Sequence, residues 1–388
     1  MIEPSVRVSM VCPYSLSRPG GVQGQAAGLA RSLRRLGHEV ALLAPDGAGP
    51  LAPGDGPFDG TWSVGRSVGV RANGSVAPVA LSPSAALRLS RFAARHRADV
   101  VHLHEPLAPV AGYGCLLSRP APMVGTYHRA GTSRWSGVLR PVAGWGDRRL
   151  DVACAVSAEA AATAGALTGR HCEVLFNGVE VDRFARAEPW PTEVPTVLFL
   201  GRHEPRKGLA TLLDAFTAVP DPVVLWVAGD GPETLELERR HPPGARIRWL
   251  GVLSDDEVAR RLAGAHVLCA PSLGGESFGM VLLEAMAAGC AVVASDIPGD
   301  RAAAGGHASL VAPGDPAALA RALTEAVAGV VGSVGPSSPP VRSAAFAHAE
   351  GWSMDRLAAR YVDLYRRAAE GWPVTSGGRR RPGILSGP

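Results

Sequence analysis

The amino-acid sequence predicts an α/β protein with two parallel-sheet domains in tandem. Apolar runs of strand length alternate with helical patterns from end to end, and such repeated strand–helix–strand units imply parallel sheets with helices on both faces. At 388 residues the chain is long enough for two domains of ordinary size. The segment Asn177–Pro195, rich in proline and charge, is predicted to link them.

We predict an N-terminal domain over residues 1–178 and a C-terminal domain over residues 179–350. An amphipathic helix over 351–370, with leucine and tyrosine at helical spacing, is predicted to cross back to the N-terminal domain. The tail 371–388 is predicted to be disordered, and Gly329–Pro340, rich in Gly, Ser and Pro, to be a surface loop.

The individual helices and strands are predicted from apolar runs and from the glycine, proline and polar residues that end them. In the first half we predict the strand Val6–Cys12, a glycine-rich turn, the helix Val22–Leu36 ended by Gly37, the strand Glu39–Leu43, the helix Ser84–His96, and the strands Asp99–Leu103, Pro122–Tyr127, Val152–Val156 and Glu173–Leu175. In the second half we predict the strand Thr196–Leu200, the helix Leu209–Ala218, and the strands Val223–Ala228, Ile247–Leu250, Val267–Ala270, Ala291–Ala294 and Ser309–Val311.

Composition excludes several classes of protein. Hydrophobic residues make up 46% of the chain and charged residues 19%, which indicates a folded globular protein. The net charge is only +4, so nucleic acid is not an expected partner. The six cysteines show no CxxC pair and are predicted to be reduced core residues. Without a signal peptide or a membrane-spanning window, the protein is expected in the cytoplasm, or peripherally on the inner face of the cell membrane.

The most informative segment is ESFGMVLLE, which begins at Glu276 and ends at Glu284. It places one carboxylate at a loop tip and another within a helix that follows a small turn, Ser277–Gly279. Carboxylates accept hydrogen bonds from sugar hydroxyls, and the amides at a helix start receive phosphate or sugar oxygens. The segment therefore indicates a site for a polyhydroxylated, anionic ligand such as a nucleotide sugar.

The loop GRHEPRKG, which begins at Gly201, follows a strand and precedes a helix. Its Arg202 and Lys207 would supply two fixed cations for a diphosphate leaving group. A solvated basic turn is the ordinary alternative. Because Lys207 is the only lysine of the chain, we favour the functional interpretation.

Weaker signals lie in the N-terminal half. Gly20 and Gly21 follow the first strand and open a helix, as in phosphate-binding turns, but a turn without ligand is at least as common, and no dinucleotide or Walker motif is present. His128 ends a strand, where α/β folds build their sites. His102 and His104 share one face of a strand, and a buried, hydrogen-bonded pair is favoured over a metal site.

Two further segments have open interpretations. Asn73 and Ser75 belong to a predicted turn, with contact to an acceptor as the secondary interpretation. The helix after it carries Arg88, Arg91 and Arg95 along one face. That face is either an ordinary solvated surface or a basic surface resting on anionic lipid.

Taken together, these residues resemble the retaining glycosyltransferases of the GT-B fold, in the large family that includes glycogen-synthase-like enzymes and mannosyltransferases. The resemblance implies two Rossmann-like domains facing across a cleft. The motifs PGGVQ, HLHEP, NGSVA and GGESFG are similar to those of actinobacterial phosphatidylinositol α-mannosyltransferases. The chain departs from that pattern at Ala72 and Pro78, where a tyrosine and an arginine are expected.

The resemblance also implies roles for single residues. Glu276 and the amides of Phe278 and Gly279 would hold the donor sugar, Glu284 the ribose, and Arg202 with Lys207 the diphosphate. The implied catalytic residues are His128, Arg202, Lys207 and Glu276. The implied donor-binding residues are Gly21, Arg202, Lys207, Glu276, Ser277, Phe278, Gly279, Met280 and Glu284, and the implied acceptor-binding residues are Tyr14, Gly20, Gly21, Asn73, Ser75 and His128.

The expected function is transfer of a hexose, with GDP-mannose as the favoured donor, to a phosphatidylinositol-like lipid with retention of configuration. Three alternatives stay open: a soluble small-molecule acceptor such as a small polyol, with a GDP- or UDP-sugar donor, to which Ala72 and Pro78 point; a sugar-nucleotide epimerase of the same fold; and a non-catalytic binding protein. No metal and no other cofactor is expected to be required, because two cations already face the diphosphate, although the sequence does not decide whether Mg²⁺ stimulates.

Overall fold

The computed structural model describes residues 4–17, 20–45, 60–72, 75–80, 82–108, 112–129, 136–276, 278–332, 338–370 and 372. The chain divides into two compact units, which we call unit 1 and unit 2. Unit 1 consists of Met1–Gly178 together with Met354–Pro388, and unit 2 is Val179–Ser353.

Unit 1 is built on a seven-stranded parallel sheet in the order β3-β2-β1-β6-β7-β8-β9. Its strands are β1 (Arg7–Val11), β2 (Glu39–Ala44), β3 (Thr61–Ser63), β6 (Val100–His104), β7 (Met123–Tyr127), β8 (Val152–Ala155) and β9 (Glu173–Val174), and β4 (Val68–Ala72) and β5 (Ser75–Val79) form a separate antiparallel pair. Its helices are α1 (Gly21–Arg35), α2 (Pro83–Arg95), α3 (Tyr113–Ser118), α4 (Ser136–Asp147) and α5 (Ala158–Thr168).

Successive side chains of each strand point to opposite sides of this sheet, and both faces are buried because helices pack on each of them. One face presents Val8, Met10 and Leu42 to helix α1 and to the C-terminal helix of the chain. The other face presents Val11 and Leu43 to the cluster that includes α2 and α5. Near-continuous apolar strands of this kind are what made the sheet predictable from sequence.

Unit 2 is built on a six-stranded parallel sheet in the order β12-β11-β10-β13-β14-β15. Its strands are β10 (Thr196–Leu200), β11 (Val224–Ala228), β12 (Ile247–Gly251), β13 (Val267–Ala270), β14 (Ala291–Ser295) and β15 (Ser309–Val311). Its helices are α6 (Val181–Ala185), α7 (Leu209–Phe216), α8 (Thr234–Arg240), α9 (Asp255–Gly264), α10 (Met280–Ala287), α11 (Pro298–Ala304), α12 (Pro316–Gly332) and α13 (Pro339–Gly351).

The last helix, α14 (Met354–Glu370), belongs to unit 1, where it packs against α1. Its apolar stripe includes Leu357, Tyr361 and Tyr365, all buried against the first sheet. Burial of large side chains of this kind stabilises a fold by roughly 1.5–3 kcal/mol each. The helix therefore completes one face of the N-terminal core.

Two predictions about connecting segments need correction. The division between the units falls after Gly178, inside the proposed linker Asn177–Pro195, but the rest of that segment belongs to unit 2 and contains helix α6, whose Phe184 is buried in its core. The proposed loop Gly329–Pro340 overlaps two helices, because α12 continues to Gly332 and α13 begins at Pro339, while residues 333–337 lie outside the described residues. The alanines of α12 favour the helix despite its glycines.

Other expectations have mixed outcomes. The six cysteines are all buried, which confirms their assignment to the core. Strands β3, β4 and β5 were not predicted, because they are short and lie among glycine and proline. Within the described residues, no helix has both the length and the apolarity needed to cross a bilayer. Residues 373–388, the greater part of the predicted disordered tail, lie outside the described residues.

Candidate active site

In unit 2, the predicted donor residues follow neighbouring strands. Arg202 and Lys207 come after β10, and Glu276 comes after β13, the strand paired with β10. The carboxyl ends of parallel strands meet at one edge of a sheet, so these loops are adjacent. The fold thus brings together residues that are far apart in sequence.

The loop after β10 is anchored by His203, whose side chain is buried. Its backbone N–H donates to the carbonyl of Asp230 at 3.1 Å, and its Nδ1 lies 2.7 Å from Oγ1 of Thr234. The loop after β10 is therefore fixed to the loop after β11. This anchoring sets the position of Arg202, whose side chain remains about half exposed.

Gly208 ends the turn that carries Lys207. It has a φ of +69°, and a Cβ atom at this position would lie 2.0 Å from the carbonyl oxygen of Pro271. Only glycine fits here, because any side chain would collide with backbone. The requirement for glycine keeps the loops after β10 and β13 in close contact.

The charged groups of these loops form one cluster. Nζ of Lys207 lies 2.6 Å from Oε1 of Glu276, and a guanidinium nitrogen of Arg206 lies 2.9 Å from the same oxygen. Arg202 pairs instead with Glu204 at 2.9 Å. Of the predicted diphosphate clamp, Lys207 is therefore in direct contact with the predicted sugar-binding acid Glu276. A bound diphosphate would compete with Glu276 for Lys207.

Helix α10 begins at Met280, directly after Phe278 and Gly279. The ring of Phe278 is buried and packs 4.9 Å from the ring of Trp352, between centroids. This packing fixes the turn before the helix, whose amide groups are predicted to face the sugar. Ser277 lies outside the described residues.

Glu284 lies one turn further along α10 and is partly buried. Burial raises the pKa of its carboxyl to about 7, and the guanidinium of Arg183 on α6 lowers it in part. A carboxyl group with this pKa is easily protonated, and hydrogen bonds from a ribose diol would favour its ionised form. The environment is compatible with the predicted ribose contact.

Asp300, in the first turn of α11, is a candidate site residue that sequence reasoning missed. It is buried, its Oδ2 has no hydrogen-bond partner, and a Cβ added at Gly279 would lie 2.6 Å from its Oδ1. Burial raises the pKa of its carboxyl to about 7; Glu276 raises it further and Lys207 lowers it. Its segment follows β14, which pairs with β13, and the sequence alone does not show this pairing.

Replacing Asp300 by asparagine should change how stability depends on pH. The pKa of Asp300 is higher in the folded chain, about 7, than its ordinary value of 3.8, so the folded state binds this proton more tightly. Its stabilising effect is complete below about pH 4 and is lost as the pH rises through 7. Relative to wild type, Asp300→Asn should therefore gain up to about 4 kcal/mol between pH 4 and pH 8.

Urea unfolding of both proteins at these two pH values measures this difference, since the other titrating groups are common to both. An equal offset between the two proteins at both pH values would contradict the assignment. Asp296→Asn, at an exposed position four residues earlier, is the matched control and should show no such change.

The residues predicted for unit 1 also follow neighbouring strands. Tyr14 comes after β1 and forms a backbone bridge with Val79 at the end of β5. Burial and the nearby Glu105 raise the pKa of Tyr14, so its hydroxyl stays protonated. Gly20 and Gly21 stand at the start of α1, as predicted. The start of α1, Tyr14 and the strand β5 thus belong to the same unit.

Histidines form the centre of this second group. Nε2 of His128 lies 2.8 Å from Nδ1 of His104, and the backbone N–H of His128 donates to a carboxylate oxygen of Glu105 at 2.7 Å. Glu105 has a φ of +48°, an uncommon conformation for a residue with a side chain. Burial lowers the pKa of His128 to about 3, so the ring is neutral.

His102 and His104 are buried and hydrogen-bonded, which confirms the interpretation that we favoured for them. The two rings stack with centroids 4.4 Å apart, but each bonds to other partners. His102 bonds to Thr126 and to Tyr365 of α14. In the part of the chain that the structure describes, no group of three or more His, Cys, Asp or Glu side chains could hold a metal ion.

The predicted acceptor turn is only partly visible. Strand β4 ends at Ala72 and β5 begins at Ser75, which are paired in register, while Asn73 lies outside the described residues. The structure thus gathers the described site residues into two groups. One lies in unit 2 around Lys207 and Glu276, and the other lies in unit 1 around His128.

Comparison with known proteins agrees with this division. The profile of the family described as "Glycosyltransferase Family 4" matches residues 19–183, and the profile described as "Glycosyl transferases group 1" matches residues 194–328. The phosphatidyl-myo-inositol mannosyltransferase of Mycolicibacterium smegmatis is 40% identical over 326 residues, or 80% of this chain and 82% of the relative. The chain belongs to the glycosyltransferase family of the phosphatidyl-myo-inositol mannosyltransferases.

Other relatives in this family lie at similar distances. The phosphatidyl-myo-inositol mannosyltransferase of Mycobacterium tuberculosis is 38% identical over 341 residues, or 84% of this chain and 88% of the relative. The enzyme of the same name from Propionibacterium freudenreichii is 36% identical over 75% of this chain and 77% of the relative. The prediction that the chain is a glycosyltransferase, and so an enzyme, is confirmed.

Solved structures support the fold class. The Anabaena HepE protein, crystallised with UDP and glucose, has a TM-score of 0.68 at 18% identity and covers 92% of this chain and 99% of its own. A glycosyltransferase of avilamycin A biosynthesis has a TM-score of 0.61 at 25% identity, over 95% of this chain and 99% of its own. The predicted GT-B class with two parallel-sheet domains is confirmed.

Proposed function

We propose that this glycosyltransferase moves mannose from GDP-mannose to the inositol ring of a phosphatidylinositol-like lipid, with retention of configuration. The observation that supports the donor part of this proposal is the contact between Lys207 and Glu276. It places a cation for the diphosphate beside a carboxylate that can accept hydrogen bonds from sugar hydroxyls. The acceptor half rests on similarity to relatives named phosphatidyl-myo-inositol mannosyltransferases.

On the donor side, Lys207 and Arg202 bind the diphosphate and stabilise the charge that develops as it departs. Glu276 accepts hydrogen bonds from mannose hydroxyls once the diphosphate has taken its place beside Lys207. Glu284 accepts hydrogen bonds from the ribose. The amides of Phe278 and Gly279 donate to the sugar.

We expect retention without a covalent intermediate. The predicted donor group contains carboxylates for binding hydroxyls, but none to which we assign nucleophilic attack. The acceptor hydroxyl therefore attacks on the face from which the diphosphate leaves, and a phosphate oxygen takes its proton. Trapping of a mannosylated carboxylate by mass spectrometry would contradict this mechanism.

The test of function combines binding and turnover. Thermal shift with GDP-mannose, UDP-glucose and UDP-N-acetylglucosamine should show stabilisation by GDP-mannose above the other two. Incubation of GDP-mannose with phosphatidylinositol vesicles should then yield a mannolipid, whose anomeric configuration NMR can assign. A lack of stabilisation by all three donors would contradict a transferase function, whereas epimerisation of the donor sugar without acceptor would favour an epimerase.

A soluble acceptor is the second candidate. The observation that favours it is the departure at Ala72 and Pro78, which lie in strands β4 and β5 on either side of the predicted acceptor turn. Without the expected tyrosine and arginine, this hairpin offers less to an inositol phosphate diester. Faster transfer to free inositol phosphate than to phosphatidylinositol would establish this candidate over the first.

We also propose that α2 contacts anionic membrane from the cytoplasmic side. Arg91 and Arg95 are exposed on one face of α2, and Leu87 beside them is 49% exposed. Arg88, which the sequence placed on the same face, is instead partly buried and donates to Oγ of Ser84 at 3.0 Å. An exposed face with both leucine and arginine suits the boundary between lipid headgroups and acyl chains.

The double variant Arg91→Ser with Arg95→Ser should bind phosphatidylinositol vesicles roughly 10- to 30-fold less tightly, because each arginine near an anionic surface contributes about 1 kcal/mol. Vesicle co-sedimentation measures this. The matched control is the pair Arg239→Ser with Arg321→Ser, two exposed arginines of unit 2, which should bind as wild type does. Equal binding by wild type and the α2 variant would show that this helix does not contact the membrane.

A further inference from the structure

One ring nitrogen of His104 is buried without a hydrogen-bond partner. The residue is 3% exposed, and its Nε2 is a buried ring nitrogen without a hydrogen-bond partner. Its other nitrogen, Nδ1, lies 2.8 Å from Nε2 of His128. A buried polar atom without a partner costs free energy. We therefore expect the hydrogen bond made by Nδ1 to have a function that offsets this cost.

The surrounding side chains hold the ring of His104 where it is. His102 stacks on it at 4.4 Å between centroids. His102 is itself bonded at both nitrogens, to Thr126 at 2.7 Å and to Tyr365 at 2.9 Å, so it has no donor or acceptor left for His104. Tyr361 bonds to Thr126 at 2.9 Å and completes a network between β6, β7 and α14.

The proton between His104 and His128 can belong to either ring. Burial lowers the pKa values of both, so each ring carries one proton. If His128 donated from Nε2, His104 would have to carry its proton on Nε2, as a buried N–H without an acceptor. Buried N–H groups without an acceptor are rarer in proteins than buried acceptors without a donor. The tautomer with the lower cost of burial is therefore the one in which His104 donates from Nδ1 and its Nε2 is an acceptor without a donor.

We propose that His104 is a positioning residue that fixes the tautomer of His128. His104 donates its Nδ1 proton to Nε2 of His128, so His128 carries its own proton on Nδ1. From that position His128 donates a hydrogen bond to a hydroxyl of the acceptor and cannot act as a base there. The role in catalysis rests on the proposed transferase function, whereas the tautomer itself does not.

NMR spectroscopy of full-length protein labelled with ¹⁵N-histidine tests the tautomer without any substrate. The signals of His104 and His128 can be assigned from variants at each position, and His171→Gln, at an exposed histidine, is the control that should leave them unchanged. We expect both residues to carry the proton on Nδ1. A proton on Nε2 of His128 would overturn the proposal.

Two substitutions of His104 test its effect on turnover. The amide nitrogen of asparagine matches the place of Nδ1 and that of glutamine the place of Nε2, so His104→Asn keeps the donor and His104→Gln removes it. We expect His104→Asn to stay within about threefold of wild-type kcat and His104→Gln to lose about tenfold or more, as for one hydrogen bond, with little change in KM. In a His128→Ala background, His104→Gln should cost nothing further.

Equal losses in His104→Asn and His104→Gln, or a further loss in the His128→Ala background, would overturn the positioning role. If wild-type protein shows the Nδ1 tautomer at His128 but transfers no mannose, the proposed function fails and the tautomer assignment stands. The two failures are thus distinguishable.

Discussion

Replacing Lys207 by alanine is expected to lower kcat for mannosyl transfer by about 100-fold or more. In the proposed site, Lys207 supplies fixed positive charge where the diphosphate leaves, and loss of one preorganised group that stabilises transition-state charge typically costs two to three orders of magnitude. The fold should persist, because its ion pair with Glu276 is partly exposed and such pairs contribute about 1 kcal/mol or less. Steady-state kinetics with GDP-mannose measures the effect.

Two further variants sharpen this test. Lys207→Arg keeps the charge but not the compact ammonium group, and should recover only part of the activity. Arg239→Ala removes an exposed cation elsewhere in unit 2 and should be as active as wild type. Wild-type turnover in Lys207→Ala would refute the assignment of the diphosphate clamp.

Replacing Glu276 by glutamine should separate sugar recognition from nucleotide recognition. The variant loses the charged acceptor for the sugar hydroxyls, and kcat is expected to fall by about 10- to 100-fold, since hydrogen bonds to charged groups are worth about 1.5–3 kcal/mol. Binding of GDP alone should stay the same or tighten, because Lys207 and Arg206 no longer pair with this carboxylate. Kinetics and calorimetric titration with GDP measure the two effects.

The matched control is Glu325→Gln, which removes an exposed carboxylate on α12 and should change neither quantity. If GDP and GDP-mannose lost affinity equally in Glu276→Gln, then Glu276 would support the nucleotide and not the sugar. Unchanged turnover would remove Glu276 from the site altogether.

The sheets were predictable because parallel strands buried on both faces are continuous apolar runs. Strands such as Thr196–Leu200 and Val267–Ala270 appear with the same bounds in sequence analysis and structure. The pair β4 and β5 was not predictable in this way, because glycine, proline and arginine interrupt the apolar pattern at Gly69, Pro78 and Arg71. Helix α6 was hidden for a related reason, since prolines and charges close by resemble a linker.

Part of the site was also accessible from sequence. Lys207 and Glu276 were identified from residue type and spacing, and the structure places them in contact. Asp300 and the bond between His104 and His128 were not identified, because both depend on which strands are neighbours in the sheet. A single sequence reports the order of strands along the chain but not their order across the sheet.

The C-terminal helix α14 has a consequence for how the chain is made. Val8, Met10 and Leu42 lie on a sheet face that α14 helps to cover, yet α14 begins only at Met354. On the ribosome, every residue of unit 2 emerges before this cover does. The first-made sheet must therefore wait, with apolar surface exposed, until the residues of α14 have been synthesised. Truncation before Met354 would leave it in that vulnerable state permanently.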